Sequence, residues 1–205
     1  MESRRKMTFL SKYGDKKSFY QKFDIKCQRQ EELTNSSERC FFGNAPTLKD
    51  INLVYGNGTS QFWLNAQLAN VSEFSGTKDK ITKSQIEQLS ELITEEYFFL
   101  KISEIMLFFR RFKLGKYGKF YGTVDPMVIT TSLNIFLRER GESYFDKENK
   151  EREDKQREEQ KKNHITYEEY VRRKKEKEKN DGIKEHEKTT LEKLADGEVK
   201  LLKEE

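Results

Sequence analysis

The stretch TKSQIEQLSELITEEYFFLKISEIMLFFRRFKLG, residues 82–115, decides the fold because its pattern predicts two consecutive helices. Thr82 and Gln85 stand at capping-box spacing, which marks a helix N-terminus, and a stripe of apolar residues follows. The stripe consists of Ile86, Leu89, Ile93 and Tyr97, widened by Leu92. Ser103 is predicted to cap the next helix, which is apolar on nearly all sides up to Arg110. This second helix is therefore predicted to be the central buried element.

The flanking sequence predicts further helices. Thr47 and Asp50 repeat the capping-box spacing, and the glycine-rich residues 56–58 end that helix before an aromatic-rich one. Asp125 and Pro126 form a strong start signal, an acidic N-cap followed by proline at the first helical position. We therefore predict an all-α fold, a compact bundle of four to five helices with a long charged helical C-terminal tail.

Composition divides the chain into three parts. The 205 residues are 37% charged and 34% apolar, so only part of the chain can form a core. Residues 146–205 carry 18 basic and 19 acidic residues, which predicts a charged helical tail that is partly disordered. Residues 1–44 are predicted to be a basic, poorly ordered arm, because residues 1–30 hold nine basic residues against three acidic ones. The helical core domain is predicted over residues 45–145.

The candidate functional site lies where the central helix ends. Residues 108–122, FFRRFKLGKYGKFYG, hold five cations and no acid, interleaved with aromatic rings. Such a segment suits nucleic acid, because cations neutralise phosphates while rings stack on bases. The predicted nucleic-acid-binding residues are Arg110, Arg111, Lys113, Lys116, Tyr117, Lys119, Phe120 and Tyr121.

The same segment also fits a purely structural role. Phe108, Phe109 and Phe112 would then belong to the core, and the rings that follow Gly115 would fold back on the helix. The cations would offset the exposed carbonyl groups at the helix end and extend to water. Both interpretations remain open at the level of sequence.

The sequence offers little for catalysis, metal binding or a membrane. Residues 45–145 contain neither histidine nor cysteine, so we predict that the protein is not an enzyme and has no cofactor and no small-molecule substrate. Cys27 and Cys40 lie far from the two histidines, unlike the paired ligands of a zinc site, and are predicted to be free thiols. No window approaches the ~20 apolar residues of a membrane helix, and no signal peptide is recognisable. We therefore predict no membrane contact and a location in the cytoplasm of the host cell or in a virion.

Several short motifs within residues 46–140 carry a family resemblance. They are Pro46-Thr47-Leu48, Phe62-Trp63-Leu64, Phe112-Lys113 with Gly115, Phe120-Tyr121-Gly122 and Asp125-Pro126. In this combination the segment resembles a family of small, uncharacterised helical proteins encoded by phages and mobile elements of gut anaerobes. The region 93–112 is also similar to the N-terminal helical domain of phage helicase loaders and inhibitors, which implies a link to replication. The family resemblance implies no established activity.

These features favour a non-enzymatic accessory protein of a phage or mobile element that binds nucleic acid or acts in replication. The alternative is a structural or interaction protein, such as a virion-packaged or scaffold component. In that case the helical tail, residues 146–205, would contact a protein partner. The sequence leaves the choice between DNA and RNA open.

Overall fold

The fold is known from a computed structural model that describes residues 2–25, 35–76, 80–118, 125–163 and 167–180. Within these ranges the regular elements are helices, and Thr47 and Lys101 form an isolated antiparallel bridge. The all-α class predicted from the sequence is therefore confirmed. The helices are α1 (Glu2–Tyr13), α2 (Lys16–Lys22), α3 (Ser37–Phe42), α4 (Leu48–Tyr55), α5 (Thr59–Phe74), α6 (Lys83–Glu96), α7 (Ile102–Lys113), α8 (Pro126–Asn163) and α9 (167–180).

The chain divides into two compact units, Met1–Lys147 and Glu148–Glu205. The first unit contains α1 to α7 and the first part of α8, and it holds the hydrophobic core. The second unit contains the remainder of α8 and α9, and its described side chains are mostly exposed. Residues 181–205 of the predicted tail lie outside the described ranges.

Capping side chains decide where the helices begin. The Thr47 hydroxyl accepts the Asp50 N–H at 3.1 Å, and the Asp50 carboxylate accepts the Thr47 N–H at 3.0 Å. Thr82 and Gln85 make the same reciprocal pair at the start of α6. The Asp125 carboxylate accepts a backbone N–H of the first turn of α8 at 2.9 Å. These three predicted helix starts are confirmed.

Helix α7 is the central buried helix, as the sequence predicts. Its buried residues are Ile102, Ser103, Glu104, Ile105, Met106, Leu107, Phe108, Phe109 and Phe112. The predicted cap at Ser103 is wrong, because the helix begins at Ile102 and its N-cap is Lys101. The Glu104 carboxylate accepts the Lys101 N–H at 2.9 Å, while the Ser103 hydroxyl donates to a carbonyl of α3.

A glycine ends α7 at the predicted position. Gly115 has φ of +73°, a conformation that glycine adopts without the steric strain of a Cβ. The N–H groups of Gly115 and Lys116 donate to the carbonyls of Phe112 and Arg111, at 2.9 and 3.0 Å. These two bonds satisfy carbonyls that the helix end would leave without partners.

The described part of residues 1–44 is not a poorly ordered arm, which corrects the prediction. Phe19 is fully buried, and the rings of Phe23 and Tyr55 lie 5.0 and 5.2 Å from its ring. The Tyr55 hydroxyl also donates to the carbonyl of Gly14 at 2.7 Å. The aromatic spacing looked irregular because the chain turns at Gly14, where φ is +78°, and α2 starts with a new helical phase. Two short helices therefore share one aromatic cluster with α4.

Candidate nucleic-acid interface

Arg111, a central residue of the predicted site, is engaged within the fold. Its Nη1 lies 2.8 Å from Glu139 Oε2, and its Nη2 donates to the Ser37 hydroxyl at 2.8 Å. Its guanidinium also lies over the rings of Phe41 and Phe136, at 5.8 and 5.9 Å. Arg111 therefore ties α7 to α3 and α8, and these contacts use much of its capacity to donate hydrogen bonds.

The neighbouring cations also have internal partners. Lys116 Nζ lies 2.8 Å from the same carboxylate oxygen that pairs with the arginine, although its side chain remains half exposed. Lys113 Nζ donates to the Asn70 side chain and lies 5.6 Å from the ring centroid of Phe74. Burial lowers the pKa of Lys113. Arg110 is half-buried in the last turn of α7, where a cation offsets the helix dipole.

Tyr117 packs inward instead of presenting its ring to solvent. Its ring is stacked on that of Phe108 at a centroid distance of 5.7 Å. Burial, followed by the negative charge of Glu139, raises the pKa of Tyr117 to about 12, and the Arg111 guanidinium opposes this in part. Among the residues that the structure describes, the Arg111 guanidinium lies near its buried hydroxyl, but no group there meets the geometry of a hydrogen bond with it. The remaining predicted site residues, which lie outside the described ranges, are Lys119, Phe120 and Tyr121.

Replacement of Tyr117 with phenylalanine should leave the free energy of unfolding at pH 8 unchanged or slightly higher. The reason is that a buried hydroxyl without a partner contributes no net stability and carries a desolvation cost of about 1–3 kcal/mol. Urea unfolding of both proteins measures the difference. A loss above about 2 kcal/mol in the variant would show instead that the hydroxyl is satisfied.

The Tyr117→Phe variant should also change how the free energy of unfolding depends on pH. Because the pKa is about 12 in the folded chain and 10.0 ordinarily, the folded chain retains a proton that the unfolded chain releases. The contribution of Tyr117 to the free energy of unfolding is therefore fully present below pH 10 and falls as the pH rises towards 12. We expect a shallower fall in the phenylalanine variant. Other tyrosines with raised pKa values are common to both proteins, so the difference between them isolates Tyr117.

A second basic region surrounds a cleft of about 340 Å³ beside α1, α2 and α3, here called the first cleft. Among the described residues that line it, three are cations, Lys12, Lys22 and Arg39, and none is a carboxylate. Tyr13 and Phe23 supply ring surface at the same cleft. Cations without carboxylates in a concave surface favour an anionic ligand, because the low-dielectric walls concentrate the positive potential.

Backbone carbonyls hold two of these cations in place. Lys12 Nζ donates to the carbonyl of Asn44 at 2.9 Å, and Lys22 Nζ donates to the carbonyl of Lys12 at 2.7 Å. Each ammonium group carries three donors, so both retain donors for a ligand. The exposed Arg39 guanidinium forms no ion pair with any carboxylate in the described ranges. The first cleft therefore contains two lysines held in place by backbone carbonyls and one arginine that is available to a ligand.

A buried polar network holds the wall of the first cleft. Lys101 Nζ donates to the carbonyls of Phe41 and Gly43, at 2.7 and 3.0 Å, and so fixes the end of α3. The fully buried Glu104 carboxylate accepts from Arg140 Nε at 2.7 Å, which brings α8 into the same network. These bonds position the segment from Arg39 to Gly43, whose two end residues line the cleft.

A second cleft, of about 610 Å³, lies between α2 and α5. Lys16, Lys17, Tyr20 and Phe62 line it, together with the carboxylate of Asp24. Tyr20 and Phe62, whose ring centroids lie 5.4 Å apart, supply ring surface, and Phe23 and Trp63 line the cleft as well. The second cleft therefore combines cations with rings, the pairing that the sequence predicted for the end of α7.

The two clefts share one lining residue, Phe23. No individual residue of the two clefts was predicted from the sequence to bind a ligand, although one signal for such a surface was present. The excess of basic residues over residues 1–30, interleaved with Tyr13, Tyr20 and Phe23, is a basic-aromatic pattern in its own right. Because residues 1–44 were predicted to be a poorly ordered arm, no structured binding surface was expected there.

Other kinds of site find no support in the ranges that the structure describes. No group of three or more histidine, cysteine, aspartate or glutamate side chains there could hold a metal ion. Burial raises the pKa of the Cys40 thiol to about 11, so this thiol is protonated near neutral pH. No described helix is long and apolar enough to span a membrane.

Comparison with known proteins adds a family of unknown function. The described fold defines an all-α protein, and residues 80–181 are similar to a family of unknown function (DUF6633). The matched segment contains α6, α7, α8 and α9. No curated protein and no solved structure matches the chain significantly. The similarity is thus to an uncharacterised family, and it names no activity.

Proposed function

We propose that this protein is a non-enzymatic nucleic-acid-binding protein whose contact surface is formed by the first and second clefts. The observation that carries the proposal is the first cleft, which gathers Lys12, Lys22 and Arg39, while none of its lining residues in the described ranges is a carboxylate. Nucleic acids suit such a surface because each nucleotide carries a phosphate, and neutralising phosphates releases counterions.

Helices α1 and α2 extend the same charge across the surface. Their further exposed cations are Arg4, Arg5, Lys6, Lys16 and Lys17. None of them forms an ion pair with a carboxylate of the described residues. The cations at the end of α7 differ in this respect, because Arg111 and Lys116 share Glu139. The N-terminal helices therefore offer more unpaired charge to a ligand than the segment 108–118 does.

The proposal predicts binding that depends steeply on salt and that weakens when Lys16, Lys17 and Arg39 are replaced with glutamine. These three side chains are exposed or line the clefts without anchoring the backbone, so the fold should persist. Each lost phosphate contact should flatten the log–log slope of affinity against salt by about 0.7 to 0.9. Fluorescence anisotropy with a labelled oligonucleotide at several salt concentrations measures the slope.

A matched control replaces Lys80, Lys83 and Arg138 with glutamine. These cations are also exposed. Lys80 lies just before α6, Lys83 on α6 and Arg138 on α8, and none of them is a lining residue of either cleft. The control removes the same net charge and should retain the wild-type slope. An equal loss in both triple variants would show that binding follows net charge alone. A wild type that binds neither DNA nor RNA at low salt would overturn the proposal.

We also propose a setting for this activity. The resemblance to proteins of phages and mobile elements, and to helicase loaders, favours an accessory role in the replication of such an element. The corresponding location is the cytoplasm of the host cell or the virion. A second candidate function is an interaction protein whose tail contacts a protein partner, favoured by the exposure of Tyr167 and Tyr170 on α9.

A further inference from the structure

The second cleft presents aromatic rings to solvent beside its cations. Phe62 is 64% exposed on α5, and its ring lies 5.4 Å from that of Tyr20. Lys16 Nζ lies 6.0 Å from the centroid of the Tyr20 ring. A cation and two rings therefore lie side by side in the second cleft. A ligand that carries both a negative charge and a flat apolar face would contact them together.

Hydrogen bonds hold this aromatic surface in position. The Tyr20 hydroxyl donates to the carbonyl of Thr59 at 3.2 Å, which fixes α2 against the start of α5. The indole N–H of Trp63, the single tryptophan of the chain, donates to the carbonyl of Phe23 at 2.9 Å. The surface is therefore organised before a ligand arrives, so little ordering entropy is lost on binding.

Helix α2 contributes lining residues to both clefts. This helix covers Lys16–Lys22 and is about 10 Å long at roughly 1.5 Å per residue. It carries cations in its first turn and at its last residue, and Phe23, just beyond its end, lines both clefts. A strand that follows α2 would bring its phosphates past the cations at both ends of this helix.

We propose that the ligand of this site is single-stranded nucleic acid, with a base stacked on Phe62 and its phosphates on the cations of the two clefts. The inference rests on the proposed function and narrows it. In a duplex the bases are paired and stacked on each other, so a ring at the surface gains a stacking contact only by extruding a base. In a single strand the base faces are accessible, and stacking on a protein ring tolerates any sequence.

The test compares oligonucleotides of equal length, a single strand and its duplex, binding to the full chain at one salt concentration. We expect tighter binding of single-stranded DNA and of single-stranded RNA than of the duplex. The Phe62→Ala variant should bind the single strands roughly 5- to 150-fold more weakly, as expected for one lost base–aromatic contact. Its binding of duplex should stay unchanged.

Two further variants and a local readout sharpen the result. Phe62→Tyr preserves a ring and should restore binding, whereas Phe74→Ala removes a ring of nearly equal exposure, 63%, from the same helix and should have no effect. Fluorescence of Trp63 should change on addition of single strands, because this residue lines the second cleft. Equal affinity for duplex and single strand, or wild-type binding by Phe62→Ala, would overturn this inference alone. Absence of binding to all nucleic acids would overturn the proposed function with it.

Discussion

Replacement of Glu104 with alanine is expected to lower the free energy of unfolding by about 3–5 kcal/mol, because it breaks a buried ion pair from one side. The Glu104 carboxylate is fully buried and accepts from Arg140 Nε at 2.7 Å and from the Lys101 N–H at 2.9 Å. The Tyr144 hydroxyl lies 3.2 Å from the same carboxylate. Without the carboxylate, Arg140 keeps a largely buried charge and the first turn of α7 loses its cap. Chemical denaturation measures the change.

Two variants serve as controls for the Glu104 prediction. Glu104→Gln preserves the shape and an acceptor oxygen for the Lys101 N–H, so we expect a smaller loss than with alanine. Glu142→Ala removes an exposed carboxylate from α8 and should change the free energy of unfolding by less than about 0.5 kcal/mol. A Glu104→Ala protein as stable as the wild type would show that the network does not hold α3, α7 and α8 together.

Replacement of Phe19 with alanine is expected to lower the free energy of unfolding by about 3–5 kcal/mol, the usual effect of deleting a buried aromatic side chain. Phe19 is fully buried in α2, and its ring lies 6.2 Å from that of Tyr13 and 5.2 Å from that of Tyr55. The loss should come mainly from the cavity that remains among these rings. Denaturant midpoints at unchanged slope measure it.

The Phe19 prediction also tests whether the N-terminal helices belong to the folded unit. Phe74→Ala deletes the same side chain from a position that is 63% exposed, and it should leave the midpoint nearly unchanged. If Phe19→Ala had equally little effect, α1 and α2 would contribute nothing to the core. The clefts proposed as a ligand site would then lack a stable wall.

The sequence predicted the helical elements of residues 45–145 well because their signals are local. The capping pairs Thr47 with Asp50 and Thr82 with Gln85 act across three residues, and Gly115 ends α7 through its own φ. Each signal concerns a turn of helix and needs no distant partner. The start of α7 was misplaced because its capping acceptor, Glu104, is a buried side chain whose role depends on α8.

The sequence could not show whether the predicted cations are available to a ligand, because this depends on which charges find partners. The basic-aromatic pattern after Phe108 marked Arg111 and Lys116 as ligand-facing, but both approach Glu139, 23 or more residues further along the chain. Tyr117 likewise turns to the ring of Phe108. Composition counts cations but does not show which of them are already paired.

The sequence by itself determined the all-α class, the limits of most helices and the charge of each segment, since these follow from period, capping and composition. Only the tertiary structure decided which basic segment keeps its cations available to a ligand. Glu139 reaches α7 from α8 and occupies the cations there, while the ring cluster around Phe19 folds α1 and α2 onto α4 and leaves their lysines facing two clefts. The physical reason is that pairing and burial depend on residues brought together across the chain, whereas helix signals act within one turn.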